Sequence, residues 1–320
     1  MFRKAIFLAL VIVCLPTLAL AEIGRIKIAI GDAFIERAAK KVTAASGVTL
    51  EQSDVLVTGS DGRISVTFID NSRFSVGPDS RVNLKTFKFD TTTLEGQFDV
   101  NVEKGTLAIY SGQIAKSRPD AMKVRTPTSI LGVRGTRFIV EVQPILVLLP
   151  GEDDASSGAV AVNNEAGVTS TVVEKAYVVA KVGSKSLFAS TTDEARIRDE
   201  HGELLDTIPA PLKSYLIYFN TGTTDLTPAS VTTLVEMLKD VNTRPGADVQ
   251  VTGHTDTVGG QRDNDRLSLT RAQFIKKRLE EMGIDPSSVL ATGRGERALL
   301  VETPDATAEE KNRRVEIIVR

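Results

Sequence analysis

The chain has 320 residues, 39 basic against 41 acidic, with one cysteine, two histidines and no tryptophan. At a net charge of −2 it lacks the basic field that holds nucleic acid, and its few cysteines and histidines supply neither a disulfide framework nor a transition-metal donor set. Its length suits two domains, each with a core of its own.

The first residues, MFRKAIFLALVIVCLPTLALAEI, place Arg3 and Lys4 ahead of an apolar run, then the small-x-small site Ala19-Leu20-Ala21. This predicts a secretory signal over 1–21, cut before Glu22. The unbroken run from Ala5 to Leu15 is too short for a hydrocarbon core of about 30 Å, and Pro16 interrupts it. Cys14 lies inside the leader and follows Val13, not the small residue a lipid-attachment site needs. The expectation is an exported periplasmic protein with no disulfide, thiolate or lipid anchor once cut.

From 22 to 190, short alternating runs such as DVLVT, ISVTFI, QFDVNV, TLAIYS and TRFIVEV are broken by turn residues, as in GSDGR and DNSR. That is an all-β domain. ERAAKKVTAA, 36 to 45, is the one segment whose period leaves helix and strand both open. Between 191 and 212 the composition turns charged and ends in proline, which reads as a linker with room for a short helix.

The rhythm changes over 213–320. LIYF reads as a strand, Thr227-Pro228 as an N-cap followed by proline, and Val231, Leu234, Val235, Leu238 and Val241 as one helical stripe. DVQVTG, a second helix to Met282, SSVLATG and RRVEIIV complete a βαβαββ order, a two-layer α/β domain with helices on one face of a sheet.

Within the second helix, Leu267, Phe274, Ile275, Leu279 and Met282 fall in one sector at 3.6 residues per turn, and Arg271 falls among them. A guanidinium on a buried side needs an anion, because it cannot escape by losing its proton. Asp256, just past the carboxyl end of the preceding strand, is the nearest candidate; Gly259 and Gly260 leave that loop open to close approach. Asp256 and Arg271 held together at a cleft would suit a zwitterion, the aspartate taking an ammonium and the arginine a carboxylate. The residues alone allow equally that the two neutralise each other.

The stretch GHTDTVGGQRDNDRLSLTRA, with GRGE and NRRVEI after it, resembles the peptidoglycan-binding domain of the OmpA-like family. Thr255-Asp256, Gly259, Asn264, Leu267-Ser268 and Arg271-Ala272 stand at that family's spacing; Asn220 and Leu300 depart from it. The resemblance implies that Asp256 and Arg271 hold the free end of diaminopimelate in the stem peptide of peptidoglycan, with Asn264 and Arg313 or Arg314 in support. Farther forward, DVLVTGSDGRISVTFIDNSRFSVGPDSRVNL and KVRTPTSILGVRGTRFIVEV resemble the FecR domain. Its relatives that regulate sigma factors carry a cytoplasmic arm and a membrane helix not seen in this sequence, so the signalling role is not carried over.

These readings predict a non-catalytic wall-binding protein without cofactor or metal that tethers a FecR-like domain to peptidoglycan. The alternatives are a periplasmic sensor or adaptor whose β half binds a protein or glycan, and an envelope enzyme. For the enzyme, His254, Asp256 and Ser268 offer the residue types of a triad without a nucleophile elbow. Oligomeric state is not encoded in any of these patterns.

Overall fold

Alternation puts every second side chain of a strand on one face, and in the amino-terminal half two such faces meet. The computed structural model describes residues 22–118, 120–142, 145–151, 159–164, 171–173, 177–182, 187–219 and 225–320; the secretory signal expected over 1–21, and Asn220, lie outside them. One sheet runs, edge to edge, Leu187–Thr191, Val178–Val182, Ile145–Leu149, Arg137–Glu141, Thr106–Tyr110, Arg73–Val76, Arg63–Phe68, Glu22–Ile30 and Thr49–Glu51. The other runs Thr171–Val173, Ala159–Asn164, Ser129–Arg134, Met122–Arg125, Gly96–Lys104, Arg81–Phe89, Val55–Thr58, Ala33–Arg37 and Lys40–Thr43. Phe68 and Phe74 from the first sheet meet Phe87 and Phe98 from the second, with Phe68 and Phe98 centroids 4.8 Å apart, so the core is a sandwich filling. The ambiguous 36–45 segment is a hairpin. Its turn residues Ala38 and Ala39 take φ of 46° and 62°, a conformation that costs alanine energy, and the full burial of Ile35 offsets that cost.

Four helices occur among the described residues: α1, Gln113–Ser117; α2, Glu194–Asp206; α3, Pro228–Thr243; and α4, Gln261–Glu281. The segment read as a linker is therefore helical over most of its length. Ile197 and Leu204 of α2 bury against Ala108, Ile139, Val147 and Leu149 on the outer face of the first sheet, which anchors the connection to the β half. No helix among the described residues is long and apolar enough to cross a membrane.

The carboxyl-terminal sheet has the order Lys213–Tyr218, Arg314–Val319, Val249–Gly253, Val289–Gly293. Both α3 and α4 pack on one face through Leu234, Met237, Ala272, Ile275 and Leu279, giving the expected two-layer α/β domain. Thr227 caps α3 through the Ser230 amide at 3.2 Å, with Pro228 at the first turn. The stripes drawn from large apolar side chains need correction. Val231, Val235, Leu267, Phe274 and Met282 are exposed, and α4 turns Asn264, Ser268 and Ala272 inward instead. The cause is close backbone approach: a Cβ on Gly253 would lie 1.9 Å from the Ser268 carbonyl oxygen, and one on Gly293 2.5 Å from the Leu269 nitrogen. With glycines in the strands, the helix seats on its small residues.

The second face of this sheet is not left to water. Asp248, Gln250 and Thr252 point away from the helices and are buried, as is Arg320, because the β half covers them. Lys27 Nζ donates to Asp248 Oδ1 at 2.5 Å, to the Gly246 carbonyl at 2.9 Å and to the Arg320 carbonyl at 3.1 Å. Arg320 pairs with Asp248 Oδ2 at 2.6 Å and donates across to the Ile69 carbonyl at 3.0 Å. Arg25 reaches the Ser287 carbonyl at 2.9 Å and Arg294 the Thr92 carbonyl at 3.1 Å. Gly246 fits because it has no side chain: a Cβ there would stand 2.7 Å from the Ile26 carbonyl oxygen.

Candidate functional site

The strand Val249–Gly253 ends in the loop that starts α4, and this loop carries Asp256 to the rim of the sheet. Asp256 is 6% exposed. Its Oδ2 accepts from Arg313 Nη1 at 2.8 Å and from the Glu309 amide at 3.3 Å, while Oδ1 has only a 3.4 Å bond from the Val258 amide. Thr257 pins the facing loop by donating to the Pro304 carbonyl at 2.8 Å and accepting from the Thr307 amide at 3.0 Å.

Arg271, from α4, comes up beside this pair half-buried. It forms no ion pair with Asp256 or with any other described carboxylate, and its Nη1 is buried without a partner. Burial disfavours its charge, Arg313 disfavours it further, and the field of Asp256 offsets this only in part. The mutual pair that the sequence left open is thus not the arrangement found. Arg313 takes the carboxylate, and Arg271 stands beside the pair without an anion of its own.

The other sequence candidates divide. Asn264, 4% exposed, donates to Glu296 Oε2 at 2.6 Å and to the Asp256 carbonyl at 3.4 Å, tying α4 to the GRGE turn. Thr255 donates its amide to the Gly295 carbonyl at 3.0 Å, and its hydroxyl is buried without a partner. Gly259 sits at φ 101°, and an added Cβ would meet nothing nearer than Asn264 Oδ1 at 3.7 Å, so backbone shape and not crowding selects glycine. Arg313 and Arg314 part company: Arg313 holds Asp256, whereas Arg314 is buried on the other face and donates to the Ala298 carbonyl at 3.2 Å. Glu296 and the Glu309 amide were not singled out in the sequence; the acid of GRGE was the signal available for the first, and nothing local marked the second.

Behind the site, His254 is 1% exposed with Nε2 3.7 Å from Glu316 Oε2, and Ser214 donates to Glu316 at 2.7 Å. His254, together with Ser214 and Arg314, holds the Glu316 carboxyl down at about 2, and burial lowers the pKa of His254 from 6.5. Both shifts act in one direction. The unfolded chain takes up protons at His254 below 6.5 and at Glu316 below 4.5 that the fold resists, so stability is complete above 6.5 and declines as pH falls. Urea midpoints measured from about pH 7.5 to about pH 4 should fall steadily, and His254→Gln should flatten the part between about 7 and 5.5. Ser268 is bonded elsewhere, donating to the Asp265 carbonyl and accepting from the Gly295 amide, both at 2.9 Å, so His254, Asp256 and Ser268 form no relay.

Comparison with known proteins bears on both halves. The model of the OmpA family matches residues 218–313, and that of FecR protein matches 54–162. An outer membrane protein of Gluconacetobacter diazotrophicus is 32% identical over 117 residues, which is 35% of this chain and 31% of that one. Outer membrane protein A of Bordetella avium is 27% identical over 114 residues, 34% of this chain and 59% of its own. The chain spans less than two thirds of the length of either relative. Among solved structures, the peptidoglycan-associated lipoprotein from Burkholderia pseudomallei aligns with 33% of this chain and 90% of its own, at 19% identity and a TM-score of 0.30.

Proposed function

For a chain that joins a FecR-family domain to an OmpA-family domain, we propose the function of a non-catalytic cell-envelope protein that holds peptidoglycan without a covalent bond. The ligand is the free end of meso-diaminopimelate in the stem peptide, a zwitterion. Its carboxylate meets Arg271, and its ammonium meets Asp256 Oδ1, the oxygen with the single long bond. Arg313, Asn264, Thr255 and Gly259 hold those two groups and the loop in place. One observation carries this reading: Arg271 is a half-buried guanidinium with no carboxylate partner, beside an aspartate already claimed by another arginine. The leader and this site together imply export to the periplasm and attachment to the wall.

Co-sedimentation of the full chain with purified sacculi tests the proposal. Diaminopimelate-type sacculi should bring the protein down, and free meso-diaminopimelate should release it. Sacculi whose stem peptides carry lysine lack the second carboxylate and should bind far less; equal binding to both types would overturn the assignment. A second reading, a sensor or adaptor whose β half takes a ligand of its own, is favoured by one cavity in that half.

A further inference from the structure

The β half contains a cavity of about 270 Å³ between the end of the strand Thr106–Tyr110, α1 and the turn after the strand Ser129–Arg134, closed on one side by Pro211 and Leu212. The GVRGT sequence, part of the stretch that resembles the FecR domain, ends here. Gly135, at φ 54°, makes the turn; Thr136 is clamped by Ser111, whose hydroxyl accepts its amide at 2.7 Å and donates to its carbonyl at 2.9 Å.

The described lining residues include three cations, Arg73, Lys116 and Arg137, of which Arg73 is already spent on other partners. Arg73 is 4% exposed and engaged, donating to the Pro209 carbonyl at 2.9 Å. Arg137 is held in a fixed pose: its guanidinium lies 4.3 Å from the centre of the Tyr110 ring, and Nη2 donates to the Tyr110 hydroxyl at 2.9 Å. Its Nε is buried without a partner, and so is the hydroxyl of Thr136, which is 4% exposed. The Arg73 guanidinium lies 5.0 Å from the centre of the same ring. The amides at the start of α1 are not the attraction, since the Gln113 amide is spent on the Asp70 carbonyl at 2.7 Å and the Gly112 amide on Ser72 Oγ at 2.9 Å.

A rigid guanidinium with an unused donor, an exposed ammonium and a buried free hydroxyl around one small cavity have a common complement. We propose that this cavity is a second ligand site, distinct from the wall-binding one, for a small molecule bearing a carboxylate or a phosphate, with Arg137 and Thr136 fixing the anion and Lys116 adding charge at the mouth.

Inorganic phosphate and acetate are the probes, and the full chain carrying Arg271→Met is the protein, so that anions entering the wall-binding site do not confuse the result. At low ionic strength, one of the two anions should raise the melting temperature saturably where chloride at equal ionic strength does not; which one acts separates a phosphate ligand from a carboxylate ligand. Adding Arg137→Gln should weaken the apparent affinity tenfold or more. Lys116 is exposed and makes no described contact that folding needs, so Lys116→Gln should keep the melting temperature and still weaken the anion response severalfold. No saturable response to either anion, or a response that both variants leave unchanged, would overturn the proposal.

Discussion

Replacing Arg271 with methionine should separate binding from stability in opposite directions. Affinity for diaminopimelate-containing fragments should fall by about ten- to a hundredfold, the worth of a charge-assisted hydrogen bond of about 1.5–3 kcal/mol. The melting temperature should hold or rise. In the free protein Arg271 carries a half-buried charge with an unpartnered Nη1 and a like charge on Arg313 beside it, and methionine keeps the packing of the stem while removing both costs. Asp256→Asn should behave differently. It takes the partner from Arg313 and loosens the Glu309 and Val258 amides, so stability and affinity should drop together. Calorimetry and fragment titration on the two variants give the outcome. A large fall in melting temperature for Arg271→Met, with affinity unchanged, would make Arg271 a structural residue and remove the ground for the site.

Removing Asp248 should undo the docking of the two halves. Although its own burial opposes the charge, Arg320 and Lys27 hold the Asp248 carboxyl below its ordinary value, so it is the anion between two buried cations. Asp248→Ala leaves Lys27 and Arg320 facing each other without it, a change that costs about 3–5 kcal/mol where the charges stay buried. The molecule can relieve that cost by letting water into the seam. Small-angle scattering should then show a larger radius of gyration, and a single unfolding transition should resolve into two. An unchanged radius with one transition at the original midpoint would mean that other contacts suffice to hold the seam. For the same reason the tests of wall binding use the whole chain: cutting at the connection would strip α2 from the sheet it covers.

Much of the carboxyl-terminal domain could be read from residues because its signals are local. Thr227-Pro228 announced a helix start, the βαβαββ order followed from changes of period, and Asp256 followed from its place after a strand. What escaped the sequence was made by contacts distant along the chain. Arg313 lies 57 residues from the Asp256 it holds, and no pattern within one element connects them. The large side chains of α4 gave a plausible but displaced stripe, because the helix contact is decided by the glycines of the strands opposite. Asp248, Gln250 and Thr252 were read as belonging to an alternating strand, and such polar positions ordinarily face water. Only the second half of the structure shows what replaces the water.

The seam between the halves has a bearing on how the protein is made. Its central contact joins Lys27 to Asp248, 221 residues on, and to Arg320, 293 residues on, so it closes only after both of these distant residues have been made. Meanwhile the β sandwich, whose core is already complete in sequence, shows solvent the cations Arg25 and Lys27 of Glu22–Ile30, a strand inside its sheet. The later domain likewise offers carboxylate, amide and hydroxyl groups on its docking side, with Ile318 paired beside Gln250 as an apolar neighbour. Each half can therefore wait, hydrated and resistant to clumping, until the other is ready, and water leaves the boundary as the last step. An apolar boundary would hold more tightly at the end and would expose a sticky surface throughout the interval; this one gives up some final adhesion for safe passage through an unfinished state.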